Sequence, residues 1–299
     1  MDKYICLDIG GTDIKYGLAD SKGRLIMQDS VPNVIRQQGV QAFVEQVLDL
    51  AASYEKYFKV KGVAVSMPGV VDPQNGKLMV ESMNFPGSSG LNLAQLITEN
   101  VNLPCWVEND VNCVALGEYW LGAGTDAKSL FCIAVGTGIG GAFVMNGQLW
   151  HGGTWSCGEV GMAKLSGHLS WEKMASVRTL VAKAAQLKNL PEDQVNGKLV
   201  CQWAAAGDKA MLRLLRETVH HWAQGIAAIC YIVNPQRIIL GGGIMASRDL
   251  LDPMLRHVLQ KELNPYIYDH TEIAYAALGN DAGMIGALYN FLWREKKIR

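Results

Sequence analysis

The sequence predicts an α/β protein built from two related halves, and three observations carry that expectation. Two glycine-rich hairpins of the same form recur about 126 residues apart. Strand patterns alternate with helix patterns along the chain, which is the signature of a sheet flanked by helices with ligand loops at strand C-termini. The 299 residues, 49% apolar and 18% charged, suffice for one large or two ordinary domains.

The first hairpin runs Tyr4-Ile5-Cys6-Leu7-Asp8-Ile9-Gly10-Gly11-Thr12, continues through the apolar stretch Ile14 to Ala19, turns at Asp20-Ser21-Lys22-Gly23 and returns as Leu25-Ile26-Met27. Glycines at its first bend let backbone N–H groups approach an oxyanion closely, so the unit suits a nucleotide's phosphates. Val40, Phe43, Val44, Val47 and Leu48 have amphipathic helical spacing within residues 38–57. Gly62 to Ser66 is a buried strand that enters the turn-rich segment Met67 to Pro73, and a further turn precedes Leu78-Met79-Val80. A short helix is expected from Leu91 to Glu99. A strand follows at Cys105-Trp106-Val107-Glu108, after which Asn109-Asp110 caps a helix to Leu121.

The second hairpin is Phe131 to Gly141, followed by Ala142 to Met145, the turn Asn146-Gly147 and Leu149-Trp150. Its Gly-x-Gly-x-x-Gly run is not a dinucleotide-binding fingerprint, because Ala142-Phe143-Val144-Met145 continues as strand rather than opening a helix. Helices are expected near 171–187, 197–205 and 208–232, the last ended by Asn234-Pro235. Arg237 to Leu240 reads as a strand ending in Gly241-Gly242-Gly243, with a helix from Ser247. Thr271 to Ala276 is the next strand, and Ala282 to Trp293 the final helix.

The net charge of -1 gives no electrostatic case for nucleic acid or an anionic membrane as partner. The basic tail Arg294 to Arg299 reads as a solvated helix end. No apolar run approaches the ~20 residues of a membrane span, and Asp8 interrupts any signal-peptide core, so a cytoplasmic location is expected. Seven scattered cysteines without C-x-x-C spacing argue against a disulfide framework and a Cys-rich zinc site.

Five segments stand in a characteristic order: Asp8-Ile9-Gly10-Gly11-Thr12, Glu108-Asn109-Asp110, Gly136-Thr137-Gly138-Ile139-Gly140-Gly141, Gly158-Glu159-Val160-Gly161 and Gly241-Gly242-Gly243-Ile244. Together they resemble the ROK family of sugar kinases and sugar-responsive repressors, from about residue 4 to residue 290. The resemblance implies the actin-like, ribonuclease-H-like ATPase fold, with two similar domains around a cleft. Residues 1–115 plus the C-terminal helix 283–299 would form the smaller domain, and 116–282 the larger. ATP and Mg²⁺ are the implied cofactors, with a small-molecule sugar deep in the cleft. Repressor members carry a DNA-binding domain ahead of the first hairpin, and only seven residues precede Asp8 here, so a kinase is expected.

Departures from the family pattern narrow the expectation. Many members bind structural zinc through a His three residues after the Glu of Gly-Glu-x-Gly and through a Cys cluster; here Met162 takes the His position and the cluster is missing. No zinc site is therefore expected. The shortened segment Ala163 to Ser170 and the tail Leu278 to Ala287 resemble bacterial β-glucoside kinases, which implies transfer to the 6-hydroxyl of glucose or a β-glucoside. An N-acetylmannosamine kinase and a non-catalytic sugar-binding regulator are the alternatives, and an actin-like or chaperone-like ATPase with a protein partner is a further rival. The family is often dimeric, so a homodimer is the expectation for assembly, although no interface is derivable.

The candidate residues follow. Phosphoryl transfer to a hydroxyl needs a carboxylate that orients the attacking oxygen and takes its proton, and Asp110 is the candidate. A plain helix cap is the competing reading. Asn109 beside it is a candidate for sugar hydroxyls, and Glu108, on the other side of the strand end, is read as structural. Asp8 can hold water on Mg²⁺, while Gly10, Gly11 and Thr12 offer N–H groups and a hydroxyl to phosphate. Lys15 is read as a surface lysine. Gly136, Thr137 and Gly138 form the second phosphate loop, and Gly242 and Gly243 let backbone approach the nucleotide. The resemblance implies that Glu159 and Glu172 contact the sugar, since carboxylates accept several charge-assisted hydrogen bonds. An exposed acid in a first helical turn is the other reading of Glu172. Gly69 and Asn84, in loops with ordinary turn readings, are candidates for the sugar's far side. Met162 is expected to leave room for an aglycone or second sugar.

Overall fold

The computed structural model describes residues 1–165 and 167–298. Ser166, inside the shortened segment, and Arg299, the end of the basic tail, lie outside the described residues. The chain forms two compact units, one of Met1–Thr125, Gly147–Ser156 and Leu278–Arg299, the other of Asp126–Asn146 and Cys157–Ala277.

The first unit opens with β1 (Lys3–Ile9), β2 (Asp13–Asp20) and β3 (Leu25–Pro32), an antiparallel meander. Then come α1 (Ile35–Ser53), β4 (Val60–Met67), the hairpin β5 (Val70–Asp72) and β6 (Lys77–Val80), α2 (Leu93–Val101), β7 (Cys105–Asn109) and α3 (Asp110–Leu121). The sheet order is β3-β2-β1-β4-β7, with β4 parallel to both β1 and β7. In the second unit β8 (Ser129–Val135) pairs antiparallel with β9 (Ile139–Met145). The two-residue β10 (Gln148–Leu149) belongs to the first unit's inserted segment. The second unit continues with α4 (Trp171–Ala175), α5 (Val177–Lys188), α6 (Gly197–Ala205), α7 (Lys209–Ile232), β11 (Arg237–Gly241), α8 (Arg248–Glu262), α9 (Pro265–His270) and β12 (Glu272–Tyr275). The last helix, α10 (Ala282–Arg294), rejoins the first unit.

The strand run β9-β8-β11-β12 repeats the logic of β2-β1-β4-β7. In each, a glycine hairpin gives one antiparallel pair, and two further strands add in parallel on the other side. The repeated device is therefore a repeated topology. Alternation along β1 divides the first unit's core, since successive side chains point to opposite faces of a sheet. Ile5, Leu7 and Ile9 join the cluster with Phe43, Val47 and Ile97 of α1 and α2. Tyr4 and Cys6 join Met284, Leu288 and Phe291 of α10 instead. Helices α10 and α3 lie backbone to backbone, because a Cβ on Gly286 would stand 1.6 Å from the Cys113 carbonyl oxygen. The second unit's core gathers around α7, whose Trp222, Ile226 and Cys230 pack with Trp171 and Leu240.

Three elements differ from expectation. The helix expected over 171–187 is two helices. Ser176 is extended (φ -68°, ψ 158°), and its side chain accepts from Thr179 N–H to cap α5. A hydroxyl at that place competes with the helical backbone and restarts the helix. Helix α1 is interrupted at Gly39, whose φ of 83° only glycine adopts cheaply. The short α9 has no apolar periodicity to announce it; Pro265 at its start and the Asn264 cap do so instead.

Candidate functional site

In the first unit, strand register assembles a polar row. Asp8, Ser66 and Glu108 stand side by side at the C-terminal ends of β1, β4 and β7. Ser66 Oγ donates to Asp8 Oδ1 at 2.7 Å, and Lys15 Nζ donates to Asp8 Oδ2 at 3.3 Å. Lys15 also donates to the Asn280 carbonyl, so it ties the Asp8 carboxylate to the segment leading into α10 rather than standing as a surface lysine. That helix comes close: a Cβ on Gly283 would lie 2.4 Å from Asp8 Oδ1. The positive end of the α10 dipole thus faces the carboxylate.

Glu108 is fully buried and organises the neighbouring helix start. Its Oε1 accepts from Asn109 N–H at 2.9 Å and from Asn112 Nδ2 at 2.8 Å, and its Oε2 lies 2.8 Å from His151 Nε2. The N-cap of α3 is Asn109, whose Oδ1 accepts from Asn112 N–H and whose Nδ2 donates to the Gly69 carbonyl. Asp110 is the first residue inside the helix, with Oδ1 accepting from Val111 N–H at 2.9 Å. The N-cap is thus Asn109, and Asp110 takes up one of the free N–H groups of the first turn. Asn109 keeps only part of its amide for a ligand. Burial, followed by the Glu108 and Asp8 carboxylates, pushes the Cys113 thiol well above its usual range, leaving it neutral beneath the row.

The remaining first-unit candidates converge on the hairpin bend. A Cβ on Gly11 would meet Asn84 Cβ at 3.0 Å, and Arg36 donates to Asn84 Oδ1. Gly10 N–H closes the turn onto Asp13 O at 2.8 Å, which removes it as an outward donor. Gly11 and Thr12 carry the N–H groups left for an anion. Gly69, with φ of 107°, passes under β6, where a Cβ would meet the Val80 carbonyl at 2.6 Å.

In the second unit, Gly136 N–H donates to the Gly138 carbonyl, and the Gly136 carbonyl accepts from Val177 N–H at the start of α5. The loop is thus fastened to a helix N-terminus. Thr137 is exposed at its tip. Open space lies beside Gly136 and Gly243, where an added Cβ would meet nothing within 4 Å. Gly242 is glycine for an internal reason: its φ is 108°, and a Cβ would stand 2.0 Å from the Val135 carbonyl.

Glu172 and Glu159 are brought together. A Cβ on Gly138 would lie 2.8 Å from Glu172 Oε2, and one on Gly161 would lie 3.3 Å from the same oxygen. Burial and then the Glu172 carboxylate push the Glu159 carboxyl above the usual carboxylate range, although the residue keeps open access to solvent. Both glycines of Gly158-Glu159-Val160-Gly161 press on β9, with Cβ positions 1.9 Å from Gly141 O and 2.1 Å from Ile139 O. They hold Glu159 at a fixed height over the strand. Met162 follows at 64% exposure.

Sequence reasoning missed Lys15, Ser66 and His151 as parts of the first-unit network. Ser66 ends an apolar strand as Asp8 does, and that shared position was the available signal. His151 had none, being 43 residues from Glu108.

A model of the ROK family matches residues 4–295. The β-glucoside kinase of Listeria innocua is 32% identical over 302 residues, spanning 99% of this chain and 99% of that one. The solved structure of Lmo2764 from Listeria monocytogenes, provisionally assigned as an N-acetylmannosamine kinase, matches with a TM-score of 0.87 at 29% identity, covering 98% of this chain and 99% of the other. A ROK family glucokinase from Streptomyces griseus, solved with glucose and AMPPNP, matches with a TM-score of 0.81 at 27% identity, over 96% and 98% of the two chains.

Proposed function

The chain belongs to the ROK family and has its actin-like ATPase fold, and we propose that, as an ATP-dependent sugar kinase, it phosphorylates the 6-hydroxyl of glucose or a β-glucoside. The observation that carries the reading is Asp110, an acid inside the first turn of α3 on a helix start that Glu108 and Asn109 hold in place. In this reading the Asp110 carboxylate accepts a hydrogen bond from the acceptor hydroxyl, aims its oxygen at the γ-phosphorus and takes the proton as the P–O bond forms and ADP leaves. On the same reading Asn109, Gly69 and Asn84 are the first unit's candidates for sugar hydroxyls, and Glu159 and Glu172 are the second unit's.

Open backbone at Gly136 and Gly243 in the second unit supports phosphate binding there, and the N–H groups of Gly11 and Thr12 support it in the first unit. Mg²⁺, when bound, would neutralise charge on the β- and γ-phosphates. Asp8 would hold its water through the lone pairs that Ser66 and Lys15 leave open. No helix among the described residues is long and apolar enough to cross a membrane. The likeness to Lmo2764 favours N-acetylmannosamine as the second acceptor to test.

The test is ATP consumption with Mg²⁺ on glucose, cellobiose, gentiobiose, aryl β-glucosides and N-acetylmannosamine, with Asp110→Asn alongside. Turnover on one group, reduced ~10²–10⁴-fold in the variant, is expected. An Asp110→Asn enzyme with undiminished turnover would remove Asp110 from the chemistry.

A further inference from the structure

The first unit encloses a cavity of about 290 Å³ that none of the candidate residues above lines. Its walls come from α10, from the turn after β5 and from the inserted segment Gly147–Ser156. Two polar residues one helical turn apart on α10, Asn290 and Arg294, line it. Asn290 is 5% exposed and lines the cavity. Arg294 has a buried Nε without an acceptor, and its guanidinium enters no ion pair or hydrogen bond among them. It rests only against the rings of Trp106 and Trp293, 5.5 Å from each centroid. A buried N–H left without an acceptor is costly, and the rest of the half-buried guanidinium is also donor-only.

The rest of the lining says what would satisfy it. Trp155 and Trp293 give flat apolar surface. Trp155 holds a left-handed backbone (φ 60°), which is uncommon for a bulky residue and tends to accompany ligand sites. His151 has Nε2 engaged by Glu108 and its other ring nitrogen without a partner. The nearby acids do not serve Arg294. Glu108 is taken by Asn109, Asn112 and His151, and Asp72 by Gln74 N–H and Asn75 Nδ2. Burial lowers the Arg294 pKa, and these two carboxylates oppose that shift without hydrogen-bonding to the guanidinium.

We propose that this cavity is a second ligand site, which binds a sugar-sized molecule carrying an oxyanion: the oxyanion on Arg294, hydroxyls on Asn290 and His151, and an apolar face on Trp155 and Trp293. A guanidinium fork matches phosphate or carboxylate in bidentate fashion. The volume sits at the small end of ligand pockets and admits a single hexose derivative rather than a nucleotide. A hexose phosphate, the kind of product the proposed reaction makes, and a hexuronate share this chemistry.

Titration calorimetry on the whole enzyme tests it, with glucose 6-phosphate, glucuronate, glucose and inorganic phosphate as probes. One of the two anionic sugars is expected to bind in a way that depends on Arg294, and that one identifies the source of the oxyanion; glucose, which the acceptor site takes, is expected to bind wild type and Arg294→Met alike. Arg294→Met is expected to weaken that probe at least tenfold. Should that variant not fold, Asn290→Asp sets a carboxylate of the same size against the ligand and is expected to do the same. Asp110→Asn should leave this binding intact, so the site stands or falls independently of the acceptor reading. Unchanged affinity of the anionic sugars in Arg294→Met and Asn290→Asp, or loss of their binding in Asp110→Asn, would overturn the proposal.

Discussion

Glu108 holds the start of α3 from below. A buried carboxylate that accepts from a backbone N–H, an asparagine and a histidine cannot lose acceptor capacity cheaply. Glu108→Gln places an amide among three donors and should cost about 1–3 kcal/mol in denaturant unfolding. It should lower kcat through a misplaced Asp110 while leaving KM for ATP unchanged; a full kcat would show that Asp110 is positioned without it. Glu159 carries a pH signature. Its folded-state carboxyl titrates above the unfolded one, so the native state binds more protons in that window and stability falls as pH rises through it. Glu159→Gln should flatten the dependence of the melting temperature over that rise, whereas an unchanged slope would assign it to another group. At this scale the sequence located charged residues but not their partners. Alternation showed that Glu108 turns away from Asn109, while the hydrogen bonds that make it a hub come from a helix turn and from His151, a link that only folding creates.

The elements that carry site residues are fastened by specific pairs. Helix α4 bears Glu172 and is too short to stabilise itself. It is pinned to α7 reciprocally: Trp171 Nε1 donates to the His221 carbonyl at 2.9 Å, and Trp222 Nε1 to the Ala175 carbonyl at 2.8 Å. The Trp171 ring lies against Gly225 so closely that a Cβ there would stand 2.1 Å from Cζ2. Gly225→Ala should therefore cost about 1–3 kcal/mol by overpacking. It should also raise KM for the sugar more than KM for ATP, because the displaced helix is the one that holds Glu172. Equal changes in both constants would mean that the damage spreads to the whole unit. Most elements could be read in advance, since amphipathic period and turn residues are local signals. The break between α4 and α5 could not, because Ser176 looks like an ordinary mid-helix residue until its hydroxyl is seen to cap the next helix.

Across the whole molecule, the doubled hairpin was legible because its glycines recur at matching places in two strand runs of the same topology. The assignment of the segment Gly147–Ser156 to the first unit was not, since nothing in its composition separates it from the second hairpin. The cysteines give a test of the native state. All seven are free, and all but Cys157 are buried. Burial pushes Cys6 up to about 12 and Cys230 up to about 11, so neither is a thiolate at neutral pH. A thiol reagent should modify Cys157 well before the others in native protein and all seven in denaturant. Rapid native labelling of Cys113 would show that α3 and α10 separate readily.

Helix α10 also imposes an order of events on synthesis. It covers the sheet face presented by Tyr4, Cys6 and Ala64, residues made more than 200 positions before it. The unit that leaves the ribosome first is therefore completed last, after the whole of Asp126–Asn146 and Cys157–Ala277 has emerged. Throughout that interval the nascent chain carries a bare apolar sheet face, the kind of surface that chaperones hold and that neighbouring chains stick to. A premature stop just before Ala282 would thus remove the cover of a hydrophobic core, and the shortened product would be a substrate for quality control rather than a slightly smaller enzyme.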